Sequence, residues 1–170
     1  MHRIYLTIGF TALLGLAALA ATSTDGMIRR LGRRWQLLHR LVYLIAVLAV
    51  VHFWMQSKLD IWEPTVMAGI YAWLMGYRLL VRLLAVRGRL ALRWVAVLGG
   101  AAAVLTASGE AIYFRIAYGV DPMRVIDANW SLVTGVRPAV VVLGVGLAVA
   151  AAGALRAAVA LPAKRRPRFA

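Results

Sequence analysis

The stretch WQLLHRLVYLIAVLAVVHFW, residues 35–54, decides how this chain is read. It is apolar over a membrane-crossing length, yet it holds His39 and His52. Ionisable side chains inside such a helix are costly and by default mark function. The two lie thirteen residues apart. That is about 20 Å of helical rise, against a hydrocarbon core roughly 30 Å thick. One histidine therefore falls near each face of a bilayer. The arrangement suits a chain that passes electrons across the membrane through haem.

Two imidazoles on one iron hold their donor nitrogens about 4 Å apart, twice the metal–nitrogen bond length. His39 and His52 are too far apart for that. Each would serve a different haem, with a partner histidine on a facing helix. Thirteen steps of about 100° leave the two side chains about 140° apart on an ideal helix, so a local distortion or long imidazole reach has to close the gap. The residues alone leave a second reading open. His39, followed by Arg40, also suits an interfacial hydrogen-bonding residue, and His52, beside Phe53 and Trp54, suits a side chain snorkelling to the outer interface.

Composition supports a membrane protein. Of 170 residues, 63% are hydrophobic, and the mean hydropathy is +0.79. Soluble domains hold about 45–50% apolar residues, so no large soluble domain fits beside the spans. The net charge of +14 falls in short runs between apolar stretches, the pattern of cytoplasmic loops. A nucleic-acid-binding module would instead gather its charge on one folded face. The absence of cysteine removes disulfides, thiolate ligands, iron–sulfur clusters and cysteine nucleophiles together. The first apolar stretch, with Ala18-Leu19-Ala20 near its end, imitates a signal peptide. Its length and the basic loop behind it make it a span instead.

Hydropathy predicts an all-α polytopic bundle with five spans, roughly 4–21, 37–56, 65–85, 92–114 and 138–161. The first loop carries Arg29, Arg30, Arg33 and Arg34, with Arg40 at the helix start; the second only Lys58, Asp60 and Glu63. The third carries Arg78, Arg82, Arg87, Arg89 and Arg93. The fourth balances Glu110, Asp121 and Asp127 against Arg115, Arg124 and Arg137, and the tail holds Lys164, Arg165, Arg166 and Arg168. Basic and near-neutral loops alternate, which predicts the N-terminus outside and the C-terminus in the cytoplasm. His39 then lies near the cytoplasmic face and His52 near the outer one.

Between the spans, Met27, Ile28, Leu31, Trp35 and Leu38 recur at helical spacing with arginines opposite, predicting a helix in the inner interface. Asp121-Pro122 reads as an N-cap followed by proline at the first helical position. Met123, Val125, Ile126 and Trp130 would then form a short interfacial helix. Trp54, Trp62, Trp94 and Trp130 sit where aromatic belts fall, and the basic tail suits an anchor at anionic headgroups. Small residues at Gly99, Gly100, Ala103, Gly144, Gly146 and Gly153 predict close helix packing. Glu110 and Arg115 are expected near the outer end of span four, as a pair, a docking surface or, preferentially, solvated interfacial groups. No phosphate loop, HExxH or nucleophile–base–acid set is present.

The run TSTDGMIRRLGRRWQLLHRLVYL (22–44), then His52-Phe53, then KLDIWEP (58–64), resembles the MsrQ family. These are haem-binding membrane subunits of methionine-sulfoxide reductase systems, within the ferric-reductase-like transmembrane superfamily. The resemblance covers roughly residues 3–86. It implies a haem-b electron-transfer subunit of a bacterial inner membrane, which is not itself the catalyst. Electrons would come from the quinone pool or a cytosolic flavin reductase and pass to an MsrP-like periplasmic molybdopterin subunit that repairs oxidised methionine. Haem b and FMN are the implied cofactors, and His39 and His52 the implied axial ligands of haem iron. Arg29, Arg30, Arg33 and Arg34 are candidates for a flavin phosphate or donor contact by location and charge alone; a lipid-facing basic loop is the alternative.

The resemblance also divides the chain into 1–90, the C-terminal half of the family core, and 91–170, a two-span extension. Family members carry about three further spans upstream, one with the opposing axial histidine, so this sequence reads as N-terminally truncated. His2 is its only other histidine. The alternatives are a non-redox membrane fragment or scaffold, and a ferric-reductase-type transmembrane subunit.

Overall fold

A computed structural model describes residues 4–57, 60–84 and 91–159, without the side chain of Thr134. His2, Lys58, Arg87, Arg89 and the basic tail lie outside the described residues. The described chain is all-helical: α1 (Ile4–Ala21), α2 (Asp25–Leu31), α3 (Arg33–His39), α4 (Leu41–Gln56), α5 (Trp62–Leu84), α6 (Leu92–Tyr118), α7 (Pro122–Trp130) and α8 (Pro138–Val159), with one 3-10 turn at Leu132–Thr134. Five segments are long and apolar enough to cross a membrane: α1, α3–α4 taken together, α5, α6 and α8. The expected fold class and span count hold. Three ends run past the predicted bounds, at Arg33, Trp62 and Tyr118, where polar or interfacial side chains lower the hydropathy that a helix tolerates.

Packing divides the chain into two compact units, Met1–Ala68 and Gly69–Ala170, with the division inside α5. In the first unit α1 packs along α4. Its core is small: Ala12, Leu19 and Ile45 are buried, with Leu38 and Leu48 against them. Leu6, Phe10, Leu13 and Leu14 on α1 and Leu44 on α4 stay exposed. Helices apolar on all sides suit a membrane better than water.

The connection from α1 to α4 corrects one expectation. The pattern from Met27 to Leu38 predicts one interfacial helix; the structure breaks it at Gly32, where φ is +50°. Glycine adopts that left-handed backbone without steric cost, and its N–H closes α2 onto the Ile28 carbonyl. Thr24 caps the start of α2 by accepting from the Met27 N–H. At Arg40 the α3–α4 helix tightens: Tyr43 N donates to the Arg40 carbonyl three residues back, at 3.2 Å. A 3-10 turn winds about 120° per residue rather than about 100°, so it narrows the angular offset between His39 and His52.

In the second unit α6 and α8 make the main contact. They meet where neither has a side chain: a Cβ on Gly146 would come 2.6 Å from the Gly99 Cα. Trp73, Val95, Ala102 and Val142 form one buried cluster; Ala103, Ala107 and Ala139 form another. This is the small-residue packing that the glycine and alanine pattern predicts. Asp121 caps α7 by accepting from the Met123 N–H at 3.0 Å, with Pro122 at its first position.

Glu110 departs from expectation. It is neither solvated nor paired with Arg115, but only 2% exposed. Asn129 Nδ2 donates to its Oε2 at 2.7 Å, and Arg137 Nη1 lies 3.7 Å from its Oε1. Five residues along a helix turn side chains about 140° apart, which separates Glu110 from Arg115. Arg115 instead donates to the Gly119 carbonyl at 3.4 Å. Asn129 also accepts from Ala139 N at 3.2 Å. The cluster thus ties α7 to α6 and caps α8.

Candidate functional site

Both histidines belong to the first unit, and their surroundings differ. His52, half-buried on α4, faces the N-terminal half of α1. Its Nδ1 lies 2.7 Å from the backbone carbonyl of Tyr5. A carbonyl only accepts, so Nδ1 carries the proton and donates. In the neutral imidazole Nε2 then keeps its lone pair. The Tyr5 ring stacks loosely on the imidazole, centroids 6.2 Å apart.

The ring reaches that carbonyl because residue 9 has no side chain. A Cβ on Gly9 would stand 2.5 Å from His52 Cε1 and 2.6 Å from Nδ1. Around this contact lies an open, mainly apolar groove of about 630 Å³, lined by Leu6, Thr7, Gly9, Phe10, Leu13 and His52. A histidine whose Nδ1 donates to a carbonyl can offer a neutral Nε2 to a metal.

His39 is held differently. Its Nε2 lies 3.2 Å from the Thr22 hydroxyl, which itself donates toward the Ala18 carbonyl at 2.8 Å. If the single hydroxyl proton goes to Ala18, the oxygen accepts from His39 Nε2–H, the tautomer in which both contacts are made. The ring stacks on Trp35, centroids 4.1 Å apart. Trp35 Nε1 in turn donates to the Thr22 carbonyl at 3.0 Å. His39 and Trp35 thereby fasten the C-terminal end of α1 to the start of the long helix.

The remaining sequence candidates stay apart. Arg29 and Arg30 on α2, and Arg33 and Arg34 on α3, are exposed, and none lines the groove. Among the described residues no three of histidine, cysteine, aspartate and glutamate gather as a metal site. Sequence reasoning missed Gly9, Thr22 and the Tyr5 carbonyl. A glycine inside an apolar span signals a close approach, but that signal does not name what approaches.

The chain is similar to a set of curated proteins. It is 55% identical over 87 residues to the protein-methionine-sulfoxide reductase heme-binding subunit MsrQ of Xanthomonas campestris pv. campestris (strain B100), covering 51% of this chain and 40% of that protein. The same-named subunit of Xanthomonas euvesicatoria pv. vesicatoria (strain 85-10) is 52% identical over 87 residues, with the same coverage. That of Bordetella parapertussis (strain 12822) is 47% identical over 79 residues, 45% of this chain and 38% of the relative. Half of this chain is thus homologous to MsrQ subunits, and the chain spans about two fifths of the length of those relatives. No family model matches the chain, and no solved structure matches it.

Proposed function

We propose that this chain is a multi-pass membrane subunit that binds haem b and passes electrons to a methionine-sulfoxide reductase catalytic subunit. One observation carries the reading: His52, its Nδ1 tied to the Tyr5 carbonyl, lines an apolar groove, in a chain half homologous to haem-binding subunits. The residues fit one axial side of a haem. His52 would hold the iron through Nε2, with Leu6, Phe10 and Leu13 as the apolar wall that keeps water from the ring face. When bound, haem supplies a one-electron carrier within the membrane. The opposing ligand is not found near His52 among the described residues, since His39, the other described histidine, is about 20 Å along the same helix.

The finer reading follows the charge pattern. With the N-terminus outside, His52 serves the side facing a periplasmic molybdopterin acceptor, and His39 the donor side. Ligation by His39 through Nε2 requires it to give up Thr22. Quinone or a cytosolic flavin reductase would deliver electrons at the inner face. There Arg29, Arg30, Arg33 and Arg34 offer exposed guanidinium groups to a flavin phosphate such as that of FMN. Residues 1–90 form the electron-transfer core in this reading, and 91–170 an extension that packs by its glycines.

The test is the reduced-minus-oxidised absorbance spectrum of the protein in lipid nanodiscs with haem supplied, as wild type and as His52→Ala. Wild type is expected to show b-haem bands, and the variant to lose at least one haem while inserting normally. A wild-type protein without haem bands overturns the proposal. An unchanged variant spectrum removes His52 as the ligand.

A further inference from the structure

Helix geometry makes one position on α1 decisive for His52. A helical side chain leans toward the N-terminus, over the turn that precedes it. A side chain at position 9 would therefore cover the carbonyl of Tyr5, one turn back. Gly9 leaves that carbonyl open, and His52 Nδ1 occupies the opening at 2.7 Å. The space is already filled, since the ring atoms Cε1, Nδ1 and Nε2 stand 2.5, 2.6 and 2.9 Å from where a Cβ would be. The carbonyl is an acceptor with two lone pairs, so it takes the imidazole proton without giving up its place in the helix.

We infer that Gly9 is a positioning residue for His52, uncovering the Tyr5 carbonyl so that Nδ1 is protonated and Nε2 is the nitrogen offered to a metal. This rests on the proposal that His52 ligates haem iron, but the tautomer part stands without it. Free histidine favours the Nε2–H tautomer in water, which would block the ligating nitrogen. The Tyr5 contact reverses that preference before any metal arrives. It also fixes the ring plane, since the imidazole is held at its Nδ1 edge by α1 and at its Cβ by α4. Second-shell contacts of this kind typically change metal affinity by about 10–100-fold.

Two measurements test this on the full chain in lipid nanodiscs. The first is histidine-15N NMR of the haem-free protein, as wild type and as Gly9→Leu. Wild-type His52 is expected as the Nδ1–H tautomer, and in Gly9→Leu it should revert toward Nε2–H. The His39 resonances, at the other end of the hairpin, should stay in place and report an intact fold. If they move, Gly9→Ala, with a single carbon added, replaces the leucine variant. A wild-type Nε2–H tautomer at His52, or a tautomer indifferent to residue 9, overturns the inference. The second is haem retention, which should fall about 10-fold or more in the Gly9 variant. Normal retention there, alongside loss in His52→Ala, overturns the positioning role and leaves the haem reading intact. Retention in His52→Ala removes His52 as the haem ligand and leaves the tautomer result to stand alone.

Discussion

Thr22, just past the end of α1, gathers several polar contacts at one residue. Its hydroxyl meets Ala18 and His39, and its carbonyl takes the Trp35 N–H. Thr22→Val keeps the shape and removes the acceptor for His39. A net hydrogen bond contributes about 0.5–1.5 kcal/mol, so the loss in stability should be about 1 kcal/mol, read by thermal unfolding in detergent. His39 should then lose its Nε2–H preference by 15N NMR; no change would place its proton elsewhere. Glu110 is a harsher case. Glu110→Leu takes the carboxylate from Asn129, which keeps only the Val125 carbonyl at 3.1 Å, and from Arg137, a cost of about 1–3 kcal/mol. Arg137→Ala should cost less, because Arg137 is 32% exposed, its ion pair is 3.7 Å long, and solvent screens such pairs. Equal losses from the two would mean that the ion pair, not the Asn129 bond, dominates. Both histidines were legible in the sequence because a polar residue in an apolar span stands out. The partners Thr22 and Tyr5 were not: a hydroxyl near a loop and a backbone carbonyl leave no mark in a hydropathy pattern.

Among the elements, the contact of α6 with α8 depends on two glycines facing each other. A Cβ on Gly146 would lie 2.6 Å from the backbone of Gly99, whereas one on Gly144 would meet nothing within 4 Å. Gly146→Ala is therefore expected to push the helices apart at a cost of about 1–3 kcal/mol, the range for overpacking. Gly144→Ala should be neutral or gain the roughly 0.5–1 kcal/mol that alanine holds over glycine within a helix. The two melting temperatures, measured side by side, decide it, and equal values would refute the close approach. The spans themselves were readable because long apolar runs leave few alternatives. The small-residue signal was readable only as a class. It does not say which of Gly99, Gly100, Gly144 and Gly146 faces inward, since that depends on the rotation of each helix about its axis. The break at Gly32 escaped for a related reason: apolar periodicity continues on both sides of it, and only the backbone turns.

For the molecule as a whole, the side of the bilayer that each histidine faces depends on which way the chain lies, and loop charge is what sets that. Asp60 lies between α4 and α5, in a loop whose charges nearly cancel. Arg87 follows α5, within a run of arginines. A lysine or arginine near a span resists translocation, so Arg87 is expected in the cytoplasm and Asp60 outside. Alkaline phosphatase fused after Asp60 should be active, and fused after Arg87 inactive. A green fluorescent reporter at the same points should give the inverse. His52 precedes Asp60 by eight residues, so the first result also puts the groove near the outer face. Equal readings at both points would mean that α5 does not cross, and the five-span architecture would fail. Inverted readings would keep the architecture and turn it over. His52 and its Gly9 contact would then face the cytoplasm, and the proposed delivery from His52 to a periplasmic acceptor would have to start from His39 instead. The orientation experiment therefore tests the assignment of the two histidines to donor and acceptor sides, independently of whether either binds haem.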